Sequence, residues 1–245
     1  MASDGQATEH TRFQTGTGVA KAQTKTRAQK IFKLADNRLW ACSGNEKDVT
    51  LFWTMLKAGN HQLTNVQLRD YLEGEVIVKV MAVTRKENNR RLEAEGRPKC
   101  FGLPPCPEYL IVGHQEHPVI WFMLGDCSSN FYDTQFMITE RTMFPIGSYV
   151  GKWITRAFFN NLMNIGLERT LREYSLEQAS LIAYRLVKEV IKIDGLVGEP
   201  TDVWTVVNDE VKQKSEAELK KLKTLYDKWI DEERLVTDSV LSCLD

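Results

Sequence analysis

The period of the apolar residues changes several times along the chain, and these changes limit the fold more than any other feature of the sequence. Short apolar stretches typical of strands, of which residues 29–34 alternate, are separated by stretches in which apolar residues recur every three or four positions, as in helices. The predicted order is strands, two helices, strands, two helices, a strand and a final helix. Because the helices come in pairs, the pattern disfavours the strict strand–helix alternation of a doubly wound parallel sheet. It predicts an α+β fold with two stacked antiparallel sheets and a helix pair outside each, a four-layer αββα sandwich.

The individual elements follow from residue pattern and capping signals. The predicted strands cover 29–34, 38–42, 109–113, 119–124 and 203–207, with one or two more between Phe131 and Ile146. The predicted helices cover 49–56, 68–83 and 153–165, followed by one opened by a capping box at Ser175 and Gln178 and a last one opened by a capping box at Ser215 and Glu218. The polar residues 8–28 predict a loop or irregular hairpin, and residues 87–107 predict an exposed excursion.

The net charge indicates which classes of partner are expected, and the cysteine content indicates the cellular compartment. The 32 basic and 33 acidic residues leave a net charge of -1, which predicts no nucleic-acid or membrane partner. A basic run between Lys21 and Lys33 is interpreted as a solvated edge, since stacking aromatic residues are sparse there. Five cysteines, an odd number, favour a reducing compartment. With no apolar run long enough for a membrane span and no signal peptide, we predict a cytoplasmic protein.

No cofactor or metal is expected. His114 and His117 form an H-x-x-H pattern around a predicted turn, but a zinc site needs a further ligand that is not visible nearby. Cys100 and Cys106 are spaced too widely for a zinc knuckle. These residues are therefore interpreted as turn histidines and loop cysteines.

Several segments share their order with one protein family. They are SDGQAT, QKIFKL with RLWACSG, EYLIVGHQEHPVIWFMLGD, FPIGSYVGKW, and YSLEQASLIAYRLVKEVIKIDGLVGEPTDVWTV. In this order they resemble the proteasome β-subunits and HslV-type peptidases, which have the N-terminal-nucleophile hydrolase fold. The resemblance covers about residues 2–208 and implies one domain, 1–208, of that fold. Residues 209–245 would form a C-terminal amphipathic helix and tail.

The resemblance implies an active-site framework. Asp4 would be the aspartate, Lys30 the lysine, and Gly44 would offer the backbone N–H of the oxyanion hole. In such enzymes the hydroxyl of an N-terminal threonine attacks the peptide carbonyl, and its own α-amino group is the base. The lysine keeps the local field positive, and the aspartate keeps the lysine charged and oriented.

Three further positions are implied around this framework. Cys42 would line the pocket that determines substrate specificity. A cysteine is, however, equally typical of a small buried side chain. Ser148 and Asp194 would be a polar pair near the nucleophile.

The sequence departs from the family at the nucleophile itself. In the family the threonine begins a strand over a dozen residues upstream of the SDGQAT-like turn, whereas here only three residues precede Asp4, too few to predict a strand. We therefore expect the chain as given to be inactive in peptide cleavage. Ser3 and Thr8 are minor alternatives as nucleophiles, because removal of Met1 would expose Ala2 instead.

Two further departures point to relaxed catalytic constraint. The stretch between Asp4 and Lys30 is about ten residues longer than is usual in the family. Val197 stands three positions after Asp194, where the family usually has a serine.

The sequence therefore leaves two alternative functions, which belong to different classes. The first is a proteasome-like subunit of self-compartmentalising threonine-peptidase rings, with other ring subunits and an unfoldase ATPase as partners, and with peptides or proteins as substrates where it is active. The second is a non-catalytic pseudoenzyme that acts as a protein-interaction module through residues 8–28, residues 87–107 and the C-terminal helix.

Overall fold

The computed structural model describes residues 1–4, 6–15, 18–27, 29–43, 46–58, 63–94, 96, 108–115, 117–125, 136–140, 146, 149–164, 174–195 and 197–243. Within these ranges the strands form antiparallel sheets of five, three and two strands, accompanied by helices. The predicted α+β class is thereby confirmed. The chain divides into two compact units. The first consists of 1–30, 149–205 and 212–245, and the second of 31–148 and 206–211.

The strands and helices are numbered along the chain. The strands are β1 (Ala2–Asp4), β2 (Gln6–Thr15), β3 (Gly18–Arg27), β4 (Ile31–Ala35), β5 (Arg38–Ser43), β6 (Glu108–Gln115), β7 (His117–Gly125), β8 (Phe136–Glu140), β9 (Thr201–Val207) and β10 (Glu210–Gln213). The helices are α1 (Glu46–Ala58), α2 (Asn65–Tyr71), α3 (Ile77–Ala94), α4 (Tyr149–Asn164), α5 (Leu176–Ile193) and α6 (Glu216–Leu241), with a π-helical segment (Leu72–Val76) between α2 and α3.

Most predicted elements are confirmed, and two predictions are corrected. For residues 8–28 the sequence predicted a loop or irregular hairpin, and the described residues there belong to β2 and β3, which form ten consecutive residue pairs without a register shift. Residues 87–94, predicted to be part of an exposed excursion, are the last turns of α3. Lys, Glu and Arg are strong helix formers, so a polar stretch can continue a helix along a solvated face. Residues 97–107 of the predicted excursion lie outside the described residues.

The other correction concerns the first residues. Ala2–Asp4 form a strand, although the sequence offered too few residues to predict one. The reason is that β9 supplies the hydrogen-bonding partners from the far end of the chain, in a sheet of order β1-β9-β10. Strand β10, which was not predicted, follows β9 after a turn at Asn208 and Asp209. Both turn residues have positive φ, as tight hairpin turns require.

The five-stranded sheet of the second unit has the order β4-β5-β6-β7-β8, with each neighbouring pair antiparallel. Its β5 residues from Arg38 to Cys42 are all buried, so both faces of this strand are covered. On one face Trp40 is fully buried among aromatic rings. Its ring centroid lies 5.9 Å from that of Phe52 and 5.0 Å from that of Trp53, both on α1. Tyr109 of β6 stacks on Phe52, with centroids 3.7 Å apart.

Within the first unit, Arg185 of α5 anchors helix α6. The two terminal nitrogens of this buried guanidinium donate to the two carboxylate oxygens of Glu233 at 2.7 and 2.8 Å. The guanidinium also lies over the rings of Trp229, at 4.2 Å, and Phe158 of α4, at 5.0 Å. These contacts need a planar guanidinium, which binds a carboxylate through two nitrogens and stacks on aromatic rings at the same time. A lysine ammonium group cannot make both kinds of contact.

The first turn of α6 is closed by the predicted capping box. Ser215 Oγ accepts a hydrogen bond from the N–H of Glu218 at 3.3 Å, and a carboxylate oxygen of Glu218 accepts one from the N–H of Ser215 at 2.8 Å. The carboxylate of Glu218 also accepts a hydrogen bond from the hydroxyl of Ser215 at 2.8 Å. The backbone and hydroxyl donors of Ser215 stabilise the ionised carboxylate and lower the pKa of Glu218 to about 2.

We predict that Ser215→Ala lowers the free energy of unfolding by about 1 kcal/mol at neutral pH, because it removes the cap of α6. The folded-state pKa of Glu218 is depressed, so its contribution is present above its ordinary pKa of 4.5 and is lost as the pH falls toward 2. The difference between wild type and variant should therefore shrink over that range in denaturant titrations. Ser239→Ala, in an exposed part of α6, is the control and should have little effect. A difference that stays constant down to the lowest pH would contradict the role of Glu218.

A second prediction concerns two glycines in the second unit. A Cβ at Gly113 would lie 3.0 Å from Cγ of Arg38, a buried side chain on the neighbouring strand, whereas a Cβ at Gly74 would meet no atom within 4 Å. We expect Gly113→Ala to destabilise by about 1–3 kcal/mol through overpacking. Gly74→Ala should be neutral or stabilising by about 0.5–1 kcal/mol, because alanine loses less backbone entropy. Thermal unfolding of both variants tests this pair, and equal effects would refute the overpacking argument.

Candidate functional site

Strand β1 is held against β9 by a continuous antiparallel ladder, and this ladder sets the backbone position of Asp4. The register places Asp4 opposite Thr201. The ladder extends to Met1, whose amino group donates to the carbonyl of Trp204 at 2.7 Å while the Trp204 N–H donates to the Met1 carbonyl at 2.8 Å. Burial lowers the pKa of this amino group to about 6. In this structure the amino group of Met1 therefore acts as a hydrogen-bond donor in the pairing of β1 with β9.

The ribbon of β2 and β3 returns the chain from Asp4 toward Lys30. Its pairs begin with Gln6 opposite Arg27, two residues after Asp4 and three residues before Lys30. Directly opposite residues of an antiparallel pair have Cα atoms about 4.5–5.5 Å apart. The long stretch between Asp4 and Lys30 is therefore folded upon itself, and both residues stand at the open end of the ribbon.

Asp194 ends helix α5 in the same unit. It is 8% exposed, and its carbonyl accepts a hydrogen bond from the N–H of Val197 at 3.0 Å. Helix α5 packs against β1, and the chain reaches Thr201, the partner of Asp4, seven residues after Asp194. Three of the predicted site positions, Asp4, Lys30 and Asp194, thus belong to the first unit.

Of the other predicted positions, Cys42 belongs to the second unit. Cys42 is 7% exposed and is part of the core cluster that includes Trp40. Its assignment to a substrate pocket stays a prediction, and its thiol packs in a core. Gly44 and Ser148 lie outside the described residues.

Thr201, which lies opposite Asp4, and its hydrogen-bond partner Glu199 were not singled out from the sequence. Thr201 is 5% exposed, and its hydroxyl donates to a carboxylate oxygen of Glu199 at 3.3 Å. Glu199 also forms an ion pair with Lys188 of α5. A threonine at the start of a strand gives no sequence signal of its own. Only the pairing of β1 with β9 places it opposite Asp4.

Ser3, one of the alternative nucleophiles, is not activated in this structure. Its Oγ is buried and has no hydrogen-bond partner among the described residues. A serine nucleophile needs a base within hydrogen-bond reach, about 2.6–3.2 Å. The geometry around Ser3 therefore does not support this alternative.

His114 lies on β6 opposite Pro118, and His117 lies on β7 opposite Gln115. In the part of the chain that the structure describes, no three His, Cys, Asp or Glu residues are grouped so that they could hold a metal ion. None of the helices found in the described ranges has the length and apolar character needed to cross a membrane.

Comparison with known proteins gives structural likeness at low sequence identity. No protein-family model matches the chain, and no curated protein matches it. Among solved structures, the chain is similar to a Gly-1 mutant of Anbu from Hyphomicrobium sp. strain MC1. The two chains are 16% identical, the match covers 95% of this chain and 92% of that chain, and the TM-score is 0.48. At this identity and score, the likeness assigns neither a family nor an activity to this chain.

The burial of Cys42 leads to a prediction about thiol reactivity. In the folded protein, iodoacetamide should modify Cys243, which is exposed, and should leave Cys42 unmodified. Cys42 should react only after denaturation, because reagent access requires opening of the core. Peptide mapping by mass spectrometry reports each cysteine separately, with Cys243 as the internal control. Rapid labelling of Cys42 in the folded protein would instead place it in an open pocket.

Proposed function

We propose that the chain is a subunit of the proteasome-like lineage of threonine peptidases. Asp4 and Lys30 would hold the positions of the aspartate and lysine that activate an N-terminal threonine. The observation that carries the proposal is the topology of the first unit: the β2–β3 ribbon closes upon itself and leaves Asp4 and Lys30 at its open end. In this lineage the threonine precedes the SDGQAT-like turn, and no residue among 1–245 occupies that place.

The position of β1 in its sheet supports the proposal. Among the described strands, β1 pairs with β9 alone and stands at the edge of the order β1-β9-β10. An edge strand presents unpaired N–H and C=O groups. A strand that precedes the SDGQAT-like turn, as in the lineage, would pair antiparallel at this edge and would bring its residues alongside Asp4.

The proposed roles follow from the chemistry of peptide cleavage. Lys30 would keep the field at the nucleophile positive, and Asp4 would orient Lys30. Gly44 would donate its N–H to the oxyanion, typically the largest single contribution in such sites. Asp194 and Ser148 would be polar neighbours of the nucleophile.

The proposed assembly is that of the lineage. The subunit would join other ring subunits around enclosed sites, and an unfoldase ATPase would deliver unfolded chains. Cys42 would contribute to substrate specificity only if the core around it opens toward the substrate.

The proposal is tested by activity and by the mature N-terminus. Residues 1–245 alone should not cleave fluorogenic peptides, because the threonine is missing from them. The protein isolated from its natural source should be analysed by mass and N-terminal sequencing. If it begins with an upstream threonine, it should cleave such peptides, and Lys30→Ala should reduce kcat by at least about 100-fold.

Lys33→Ala provides the matched control. Lys33 lies three residues from Lys30 and forms an exposed ion pair with Asp36 at 2.7 Å, so its loss should leave the activity unchanged. Equal effects of the two substitutions would refute the role of Lys30. A natural protein that begins at Met1 or Ala2, is folded and cleaves no peptide would instead favour the non-catalytic interaction module.

A further inference from the structure

The helical chain from Asn65 to Ala94 passes through the π-helical segment without interruption. Leu72, the first residue of that segment, keeps helical dihedral angles, and its N–H donates to the carbonyls of Leu68 and Arg69. Helices α2 and α3 are therefore two parts of one helix. Hydrogen bonds of a π-helix join residues five positions apart, whereas those of an α-helix join residues four apart. A π turn thus holds about one residue more than an α turn.

The buried residues of this helix recur at every fourth position, before, within and after the π-helical segment. Four apolar residues are between 0% and 4% exposed and belong to one core cluster: Leu68, Leu72, Val76 and Val80. Of the residues between these four whose side chains the structure describes, all except the half-buried Tyr71 are exposed. The helix therefore presents a narrow face to the core, with one buried residue in each turn.

A regular α-helix cannot keep this spacing on one face. At 3.6 residues per turn, residues four positions apart advance by about 40° beyond a full turn. Over the twelve positions from Leu68 to Val80 the drift adds up to about 120°. Val80 would then leave the face that Leu68 presents to the core. Val80 is nevertheless only 1% exposed, while Val78 beside it is 59% exposed.

The π-helical segment accounts for this difference. With one residue fewer between Leu72 and Val76, the spacings along the buried face would be four, three and four. Eleven positions of an α-helix return to within about 20° of the starting direction. Such spacings are those by which apolar residues line one face of a regular α-helix. The chain thus contains one residue more than an α-helix with this packing needs, and the wide turn accommodates it.

Contacts on both sides of the π-helical segment prevent the helix from accommodating the extra residue by rotation. Before the segment, the hydroxyl of Tyr71 donates to the carbonyl of Met55 on α1 at 2.8 Å. After the segment, Val80 belongs to the same core cluster as Phe52 and Leu56 of α1. Rotation of either part by one residue, about 100°, would break one of these contacts.

Gly74 is the residue best suited to be the extra one. It is exposed, and a Cβ at this position would meet no atom within 4 Å, so its removal loses no side-chain contact. The ion pair of Arg69 with Glu73 lies entirely before it, and that of Glu75 with Lys79 lies entirely after it. Both pairs would therefore keep their spacing of four residues without Gly74.

We infer that Gly74 is dispensable, and that the π-helical segment is a conformational device that keeps the two parts of this helix in register with the core. The segment replaces the usual α-helical hydrogen bonds by a rarer pattern, and the burial of four apolar side chains outweighs this cost. The inference goes beyond the proposed function and does not depend on it.

Deletion of Gly74 from the full chain tests this inference. It should leave the midpoint of thermal unfolding within about 3 °C of wild type. Deletion of Thr54, an exposed residue in the regular helix α1, is the matched control. That deletion would place Lys57 where Leu56 packs, so the midpoint should fall by at least about 10 °C. A loss from the Gly74 deletion that exceeds half of the loss from the Thr54 deletion would overturn the inference.

Val80→Ala reports the register of α3 directly. In the wild-type chain this truncation of a buried side chain should lower the midpoint by about 5 °C. It should cause the same loss in the chain without Gly74, because the restored α turn keeps Val80 on the buried face. If the deletion rotated α3 instead, Val80 would take the exposed place of Lys79. Disappearance of the loss in the shortened chain would therefore refute the inference.

Gly74→Ala separates the register from the backbone entropy of glycine. This variant keeps the number of residues, so its crystal structure should retain hydrogen bonds between residues five positions apart. The crystal structure of the deletion variant should show bonds between residues four apart throughout this helix. A π turn that persists after the deletion would contradict the assignment of Gly74 as the extra residue.

Discussion

The second unit depends on the stack of aromatic rings around Trp40. This residue is fully buried on β5, and the rings of Phe52 and Trp53 on α1 and Tyr109 on β6 surround it. Each ring pair contributes about 0.5–1.5 kcal/mol beyond the burial of its area. The stack outweighs an opposing cost, since the indole N–H of Trp40 has no acceptor among the described residues. Because Cys42 follows two positions later on the same face, the stack also fixes the end of β5.

The first unit depends on pairing between residues that are distant in sequence. Strand β1 exists because β9 supplies its hydrogen-bonding partners, and the position of Asp4 follows from that register. The stretch between Asp4 and Lys30 is long, but the cost of closing a loop increases only slowly with its length. Since this stretch is paired within itself, its added residues do not require Lys30 to move away from Asp4.

Helix α6 has two parts with different environments. The first part packs on α5 through Leu222 and Tyr226, and the Arg185–Glu233 pair closes this contact. The second part, from Arg234 onward, keeps apolar residues without a covering partner in the described chain. A helix is stabilised mainly by packing of its apolar face. The anchored part therefore accounts for the presence of α6, whereas the residues from Arg234 to Cys243 are exposed.

The sequence by itself determined the local elements. Alternation identified β4, short apolar runs identified β5, β6 and β7, and two capping boxes identified the starts of α5 and α6. These signals lie within a few residues and reflect local hydrogen bonding and burial. The paired arrangement of the helices was sufficient for the α+β class. The helical turns at residues 87–94 were missed because polarity does not distinguish a loop from a solvated helix.

Only the tertiary structure decided which distant residues meet. The strand at Ala2–Asp4, the burial of Thr201 opposite Asp4 and the closed ribbon before Lys30 all require backbone partners that lie far away in sequence. The proposed roles of Asp4 and Lys30 came from resemblance, and the structure adds the register that brings them to one end of the ribbon. The physical reason is that a strand has no hydrogen-bond partners within itself, so its pairing is set by long-range contacts that no local pattern records.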